Sequence, residues 1–419
     1  MPDWWIIKEV AGRMGHAGAF DYEQERDVFI EYARMTTFRS EVGRDLRLEG
    51  LASLNDEQYE RLEPVQWPVD AKGEGTQRLF ADGRFYTPSG RARMLPITPR
   101  IPEHPVSDRF PLLLNTGRVR DHWHTLTRTG KSARLSAHIF EPYAEVHPDD
   151  ARLYKLKDGD LAELTGHAGS IVVRVKVSKG QQRGSIFVPM HWNDQFTSGV
   201  RVNRTLLATT DPISGQPEFK QNPIAIRPWQ AKWHGFMLSR RELPMTHGGY
   251  WNRSLASGNI WRYELASRES PENWAKTART LLCTDDDDVN WIEYLDTRSN
   301  RYRAARIVNG RLESCLFVGP DHDLPPREWL IKLFREDVLD DASRRHLLSG
   351  KPGSGEKDGG AIVCSCFGVG INTITDAIRT QQLTTPEAIG KALKAGTNCG
   401  SCIPELRSII EQTRNPSSN

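Results

Sequence analysis

Four cysteines near the end of the chain have a spacing that chemistry can use: Cys364-Ser365-Cys366 and Cys399-Gly400-Ser401-Cys402, with 32 residues between the pairs. Each pair can set two sulfurs on one side of a turn, and two such pairs close a four-thiolate cage. Glycine and serine between Cys399 and Cys402 let backbone amides point at sulfur, which stabilises negative charge and tunes potential. A helix starting just past Cys402, with Pro404 in its first turn, would also face the cage with its positive end. Four thiolates suit zinc or an iron–sulfur cluster, and spacing leaves both open. Unconnected buried thiols are the plain alternative, and Cys283 and Cys315, which have no partner spacing, are read that way.

A second constellation runs Asn115-Thr116-Gly117-Arg118-Val119-Arg120-Asp121-His122-Trp123-His124-Thr125. A strand leading into Thr-Gly-Arg offers amides, a hydroxyl and a guanidinium that can hold a phosphate or carboxylate, and the glycine lets backbone approach. Two histidines flanking a tryptophan add donors and a flat stacking surface, although taken alone such a triplet reads first as packing. The acidic run Asp285–Asp288 lacks the interleaved ligand spacing of a calcium loop and reads as a solvated loop.

The elements that must position these groups follow from pattern. The first ninety-odd residues read as mixed α/β with a strong helical component: Val28, Phe29, Tyr32 and Ala33 recur at helical spacing, and Glu41–Leu62 is helix-compatible. Five prolines between Leu95 and Pro111 exclude helix and central strand, marking an extended connector and a domain boundary. Short strand signals follow at Phe110–Asn115, Leu161–Leu164, Ser170–Val177 and Ser185–Pro189, which predict a β-barrel or sandwich over residues 108–230. Residues 231–348 are mixed, with a helix over Glu328–Val338 and two strands, Tyr302–Val308 and Arg311–Val318, joined by Asn309-Gly310, a strong hairpin signal. Residues 349–360 hold five glycines and a proline and read as a flexible linker. Beyond it, residues 361–415 carry three short helical patterns, Asn372–Thr380, Pro386–Ala395 and Pro404–Thr413, in a unit small enough to need a staple.

Composition bounds the whole. A chain of 419 residues and 47.5 kDa exceeds one ordinary core and implies two to four folded units. Hydrophobic residues at 38% and charged residues at 26% exclude a disordered chain. A formal charge of +2 argues against a nucleic-acid surface, and no apolar run approaches the roughly 20 residues that span a bilayer, so neither nucleic acid nor membrane is expected as a partner. With no signal-peptide pattern, no twin-arginine signal and cysteines in tight pairs, the expected location is cytoplasmic.

The segment from Cys364 to Cys402 resembles the [2Fe-2S] domain of bacterioferritin-associated ferredoxin, found also in assimilatory nitrite and nitrate reductases, and this resemblance favours [2Fe-2S] over zinc. The chain also resembles the C-terminal part of the molybdopterin oxidoreductases of the dimethyl sulfoxide reductase superfamily, and within it the periplasmic and assimilatory nitrate reductases. The residues that carry this likeness are Thr116 to Thr125, His147-Pro148-Asp149-Asp150-Ala151, Asp158-Gly159-Asp160, Pro189-Met190-His191-Trp192-Asn193, Asn203, Asp211-Pro212 and Phe219-Lys220. It implies a double-psi β-barrel gripping a bis-molybdopterin guanine dinucleotide (Mo) cofactor. Contacts are implied from Thr116, Gly117, Arg118, His122, Trp123, His124, Thr125, Asn203 and Lys220, with His191 as a further addition. His147-Pro148-Asp149 and Asp158-Gly159-Asp160 are expected to shape turns. Residues 1–95, through Pro2-Asp3-Trp4-Trp5-Ile6-Ile7 and Tyr86-Thr87-Pro88-Ser89-Gly90-Arg91, are similar to the end of the catalytic α/β region of these enzymes, and residues 231–348 match only loosely, as an α+β insertion.

The expected fold class is therefore multidomain α+β: a partial α/β catalytic region, a double-psi β-barrel, an α+β insertion and a small helical [2Fe-2S] domain. Complete enzymes of this group carry an early cysteine set for a [4Fe-4S] cluster and a later cysteine that ligates molybdenum, whereas no cysteine precedes Cys283 here. The chain is accordingly expected to be the C-terminal portion of an assimilatory nitrate reductase, beginning at an internal methionine, with catalysis needing the missing part and no catalytic residue assigned within it. Electrons from a ferredoxin, flavodoxin or nicotinamide–flavin reductase would enter through the cysteine-rich domain and pass by the [4Fe-4S] cluster to molybdenum, reducing nitrate to nitrite. Another molybdenum enzyme, such as a formate dehydrogenase, or a stand-alone electron-transfer or scaffold protein are the alternatives.

Overall fold

The computed structural model describes residues 1–38, 45–245, 248–282, 289–350 and 358–414. Cys283, Asp285–Asp288, the middle of the 349–360 segment and the start of Glu41–Leu62 lie outside the described residues. The chain divides into two compact units, Met1–Arg100 and Ile101–Asn419.

The first unit holds α1 (Asp3–Arg13), α2 (Glu25–Met35) and α3 (Asp56–Glu60) around a small core of Ala33, Leu48, Leu51 and Val69. α2 starts with a capping box in which Gln24 and Asp27 satisfy each other's backbone amides. Here the structure departs from the mixed α/β expectation. Among its described residues the unit has no strand, only an isolated parallel bridge between Leu48 and Val69. Beyond α3 the proline- and glycine-rich sequence supplies too few free amides and too little stiffness for a ladder.

The second unit opens with a closed barrel. Its strands are β1 (Leu112–Gly117), β2 (Tyr143–Val146), β3 (Leu161–Gly166), β4 (Ser170–Val177), β5 (Ser185–Pro189) and β6 (Asn222–Pro228), in the order β1-β5-β2-β4-β3-β6. β1 runs parallel to β5 and β2 parallel to β4, while the remaining pairs are antiparallel. Alternation explains the closure: Leu112 and Leu114, then Ile171, Val173 and Val175, then Ile186 and Val188 all point into one core. Two short helices, α4 (Ala133–Ser136) and α5 (Pro148–Leu153), interrupt the strands. His147 caps α5 by accepting the Asp149 amide, and Asp158 and Asp160 accept backbone amides across a turn at Gly159.

A six-stranded antiparallel sheet follows, built from β7 (Trp233–Ser239), β8 (Tyr250–Ala256), β9 (Ile260–Ser267), β10 (Asn290–Asp296), β11 (Arg301–Val308) and β12 (Arg311–Gly319) in the order β10-β11-β12-β7-β9-β8. The hairpin turn has positive φ at Asn309 and at Gly310, as Asn-Gly between strands demands. Helices α6 (Trp274–Leu282), α7 (Arg327–Leu333) and α8 (Asp341–Leu347) accompany the sheet; α7 is shorter than the expected Glu328–Val338. Cys315 is buried in β12, where burial pushes its thiol up to about 12.

The last segment pairs β13 (Ile362–Cys364) with β14 (Val369–Gly370) and packs α9 (Ile371–Gln381), α10 (Pro386–Leu393) and α11 (Ile403–Arg414) around Val363, Ile374, Ile378, Ile389, Leu406 and Ile409. Among the described residues no helix is long and apolar enough to cross a membrane.

Candidate cofactor face and cluster site

The cysteines sit where the small domain's chain turns into and out of its elements. Cys364 ends β13, Cys366 lies in the β13–β14 turn, and Cys402 directly precedes α11, whose first turn contains Pro404. The four thiols meet as two pairs. Cys366 and Cys399 lie 3.4 Å apart at the surface, while Cys364 and Cys402 face each other in the interior. The Asn398 side-chain amide reaches the Cys366 sulfur at 3.3 Å, and the Ser401 hydroxyl lies 3.1 Å from the Cys399 sulfur. Ser401's hydroxyl and amide hold the Cys399 thiol below its ordinary value, whereas burial, with Cys364 beside it, pushes Cys402 up to about 11. Among the described residues, no three or more His, Cys, Asp or Glu side chains gather so as to hold one metal ion. Two pairs of sulfurs match a two-iron cluster, in which each iron takes two cysteines.

On the barrel, β1 leads into an irregular loop. Asp121, His124 and Leu126 all have left-handed backbone, which costs side-chain-bearing residues and persists only where surroundings enforce it. His191, just past β5, is the enforcer. It is fully buried; its Nε2 accepts the Val119 amide at 3.0 Å, and its Nδ1 donates to the His124 carbonyl at 2.7 Å. Burial lowers its pKa, keeping the ring in the neutral form that this dual role needs. Asn193 adds a bond to the Thr125 carbonyl at 2.7 Å.

What the loop offers outward is a ring of donors. Arg118 lies over the Trp123 ring at 5.3 Å, and Trp123, His124, Thr125 and Lys220 are exposed. Lys220 donates to the Thr116 carbonyl, and a side chain at Gly117 would crowd Phe187 at 3.2 Å, so glycine keeps this approach open. Among the described residues the buried Thr116 hydroxyl has no hydrogen-bond partner. His122 turns inward instead, its Nε2 donating to the Ile139 carbonyl at 2.6 Å and its ring packed edge-on against Trp192. Burial lowers its pKa as well. Asn203 is exposed on a short turn, Val202–Thr205, which packs on β3 and β4. Gly166 and Gly169 make room for that turn: a Cβ on Gly166 would fall 2.3 Å from the Thr205 carbonyl.

Two family models match: the molydopterin dinucleotide binding domain over residues 112–223 and the BFD-like [2Fe-2S] binding domain over residues 362–412. The chain carries both domains. It is similar to nitrate reductase from Klebsiella oxytoca, 38% identical over 415 residues, covering 97% of this chain and 46% of that protein. The assimilatory nitrate reductase catalytic subunit of Bacillus subtilis is 33% identical over 232 residues, 54% of this chain and 30% of that protein. The F420-dependent formate dehydrogenase subunit alpha of Methanocaldococcus jannaschii is 31% identical over 231 residues, 54% of this chain and 31% of that protein. The chain thus spans less than half the length of these curated relatives.

The residues fit both groups that the two domains are named for. An orphaned buried hydroxyl, a guanidinium stacked on indole, an exposed ammonium and a glycine approach suit a phosphate-bearing dinucleotide. In the dinucleotide-binding domain the structure brings Thr116, Gly117 and Lys220 together and sets Arg118 on Trp123, and it commits His191 and His122 to backbone inside the fold. Contacts between the two domains escape sequence reasoning. Arg120 donates to the Val363 carbonyl, to Glu405 at 3.0 Å and to the Ser401 hydroxyl at 3.5 Å. Ser365 donates to Asp121 at 2.9 Å, and His138 sits 3.1 Å from Glu405. Burial raises the Glu405 carboxyl, but His138 and Arg120 outweigh it and hold it below its usual value. The one signal available in sequence is a serine inside each cysteine motif; its partners lie more than 240 residues away.

Proposed function

We propose that this chain is the dinucleotide-gripping and electron-entry portion of a cytoplasmic assimilatory nitrate reductase. The observation that carries this reading is 38% identity to a nitrate reductase along 97% of the chain, through both domains in one order. A bound bis-molybdopterin guanine dinucleotide would supply the oxygen-atom transfer that turns nitrate into nitrite, and a [2Fe-2S] cluster would supply a one-electron relay. The chain's own residues hold and orient. Arg118 and Lys220 neutralise phosphate, Gly117 lets backbone approach it, the Thr116 hydroxyl donates to it, and Trp123 presents a ring face. His124, Thr125 and Asn203 line further parts of the dinucleotide. His122 and His191 hold the loop in shape, and the barrel wall, with double-psi topology, excludes water. Cys364, Cys366, Cys399 and Cys402 hold the cluster, and the electron donor is a ferredoxin, flavodoxin or nicotinamide–flavin reductase.

The test uses the longer protein containing this chain, purified anaerobically and assayed with a reduced viologen. Nitrate-dependent dye oxidation is expected, and Arg118→Gln with Lys220→Gln should lower bound molybdenum and guanine nucleotide together. The likeness to a formate dehydrogenase alpha subunit supports a second reading, because the dinucleotide-binding domain does not choose the substrate. Formate-dependent dye reduction without nitrate turnover would establish that reading and overturn the first.

A further inference from the structure

Both serines inside the cysteine motifs touch the barrel loop, Ser365 buried and Ser401 at the surface. Both are taken up by adjacent residues of the barrel loop, Ser401 by Arg120 and Ser365 by Asp121, whose own charges lie 3.5 Å apart. Arg120 makes several of the contacts between the domains. Its guanidinium also meets the carbonyl of Val363, next to Cys364, and the carboxylate of Glu405 in the first turn of α11. The guanidinium is largely buried there, and it belongs to the same irregular loop that exposes Arg118, Trp123, His124 and Thr125.

The hydrogen-bond directions have a consequence. A guanidinium only donates, so the Ser401 oxygen accepts from Arg120. As a cluster ligand the Cys399 sulfur is a thiolate that can only accept, so across the 3.1 Å between them Ser401 is the donor. Ser365 does the reverse: a carboxylate only accepts, so its proton goes to Asp121 and away from sulfur. One motif serine is thereby turned toward the cluster and the other away from it.

We propose that Arg120 is a positioning residue for the cluster: it fixes the Ser401 hydroxyl as a donor to the Cys399 sulfur and so sets the reduction potential, while Asp121 draws the Ser365 proton away. This rests on reading the four cysteines as a [2Fe-2S] site. Reduction adds negative charge to the cluster, and both a sulfur-directed hydrogen bond and a nearby cation favour the reduced state. Losing either lowers the potential. Because Arg120 acts partly through Ser401, the two losses do not add.

The test is a redox titration of the full chain with its cluster in place, followed by the paramagnetic signal of the reduced state. Arg120→Gln is expected to shift the oxidised-to-reduced ratio about tenfold toward oxidised, which is 59 mV for a one-electron couple. Arg120→Lys, which keeps charge without the fork, should fall between. In a Ser401→Ala background the same Arg120→Gln change should shift the ratio clearly less. Glu405→Gln loosens the same joint but removes a negative charge, so it should leave the potential unchanged or raise it. Full additivity of the Arg120 and Ser401 changes, or a drop in Glu405→Gln equal to that in Arg120→Gln, would overturn the proposal, the latter by showing that undocking alone moves the potential. An unmodified chain that binds zinc and no iron would instead overturn the [2Fe-2S] reading itself.

Discussion

Glu264 is the counter-ion for a buried cationic cluster behind the barrel, and replacing it with glutamine should cost about 3 kcal/mol. On β9 it accepts from Arg262 at 2.8 Å and from Arg327 at 3.1 and 2.6 Å, with its side chain 5% exposed. Burial alone would raise its carboxyl, but Arg327 and Arg262 outweigh burial and hold it down from 4.5 to about 2. At about 1.36 kcal/mol per pH unit that drop is worth about 3 kcal/mol, in line with the ~3–5 kcal/mol for breaking a buried pair and leaving its partners charged. The folded pKa lies below the unfolded one, so the stabilisation is fully present above about pH 4.5 and is lost as pH falls toward 2. Linkage gives a loss of about 1 kcal/mol by pH 4, growing to about 2 kcal/mol by pH 3. Urea unfolding followed by tryptophan fluorescence, with wild type and Glu264→Gln compared from pH 7 to pH 3, reads this directly. A difference below about 1 kcal/mol at pH 7, or one that stays constant down to pH 3, would refute the reasoning.

Two further outcomes follow from the geometry. Gly166→Ala should cost ~1–3 kcal/mol and weaken dinucleotide binding, because its Cβ would strike the Thr205 carbonyl at 2.3 Å and displace the turn carrying Asn203. Gly180→Ala, which meets only the Ser178 hydroxyl at 3.4 Å, is the control and should change melting little; equal melting shifts in the two would count against the cradle. Cys399→Ser should remove iron and reduce the helical signal of the small domain, whose core is too slight to hold α9, α10 and α11 without its staple; iron analysis and circular dichroism check it, and retained iron would contradict the ligand assignment.

The barrel and the small helical domain were legible because their signals are local. Alternation in Ile171–Val177, the Asn309-Gly310 turn and Pro386 after Thr385 each act over a few residues, and the structure places strands, hairpin and helix where those residues put them. Closure of the barrel was legible only as a likelihood of type, since pairing β6 back onto β1 joins Ile224 to Leu112 across the whole domain. The first unit misled for a related reason: its apolar spacing is helical, but a strand needs a partner ladder, and its described residues offer none. At the site, Arg118 and Trp123 stand out in the sequence as a guanidinium and a flat ring, whereas Lys220 enters only through the family resemblance. The different jobs of His122, His124 and His191 were not, because a histidine's role depends on which carbonyl its second nitrogen meets.

That last point extends to the joint between the domains. Arg120 and Asp121 stand in the middle of the Thr116–Thr125 stretch, and by type alone the arginine would be assigned to phosphate with Arg118. The fold instead turns them to opposite duties. Arg118 stays exposed over Trp123, while Arg120, two residues on along an irregular loop, is carried to the small domain's Val363, Ser401 and Glu405. The left-handed backbone at Asp121 allows the chain to reverse there, and His191 holds the reversal from inside by binding Val119 on one side and His124 on the other. The left-handed turn therefore has a structural use: it sends Arg118 to the exposed face and Arg120 and Asp121 to the small domain within four residues. Replacing His191 should for that reason disturb the dinucleotide face and the cluster joint together, although its side chain reaches neither.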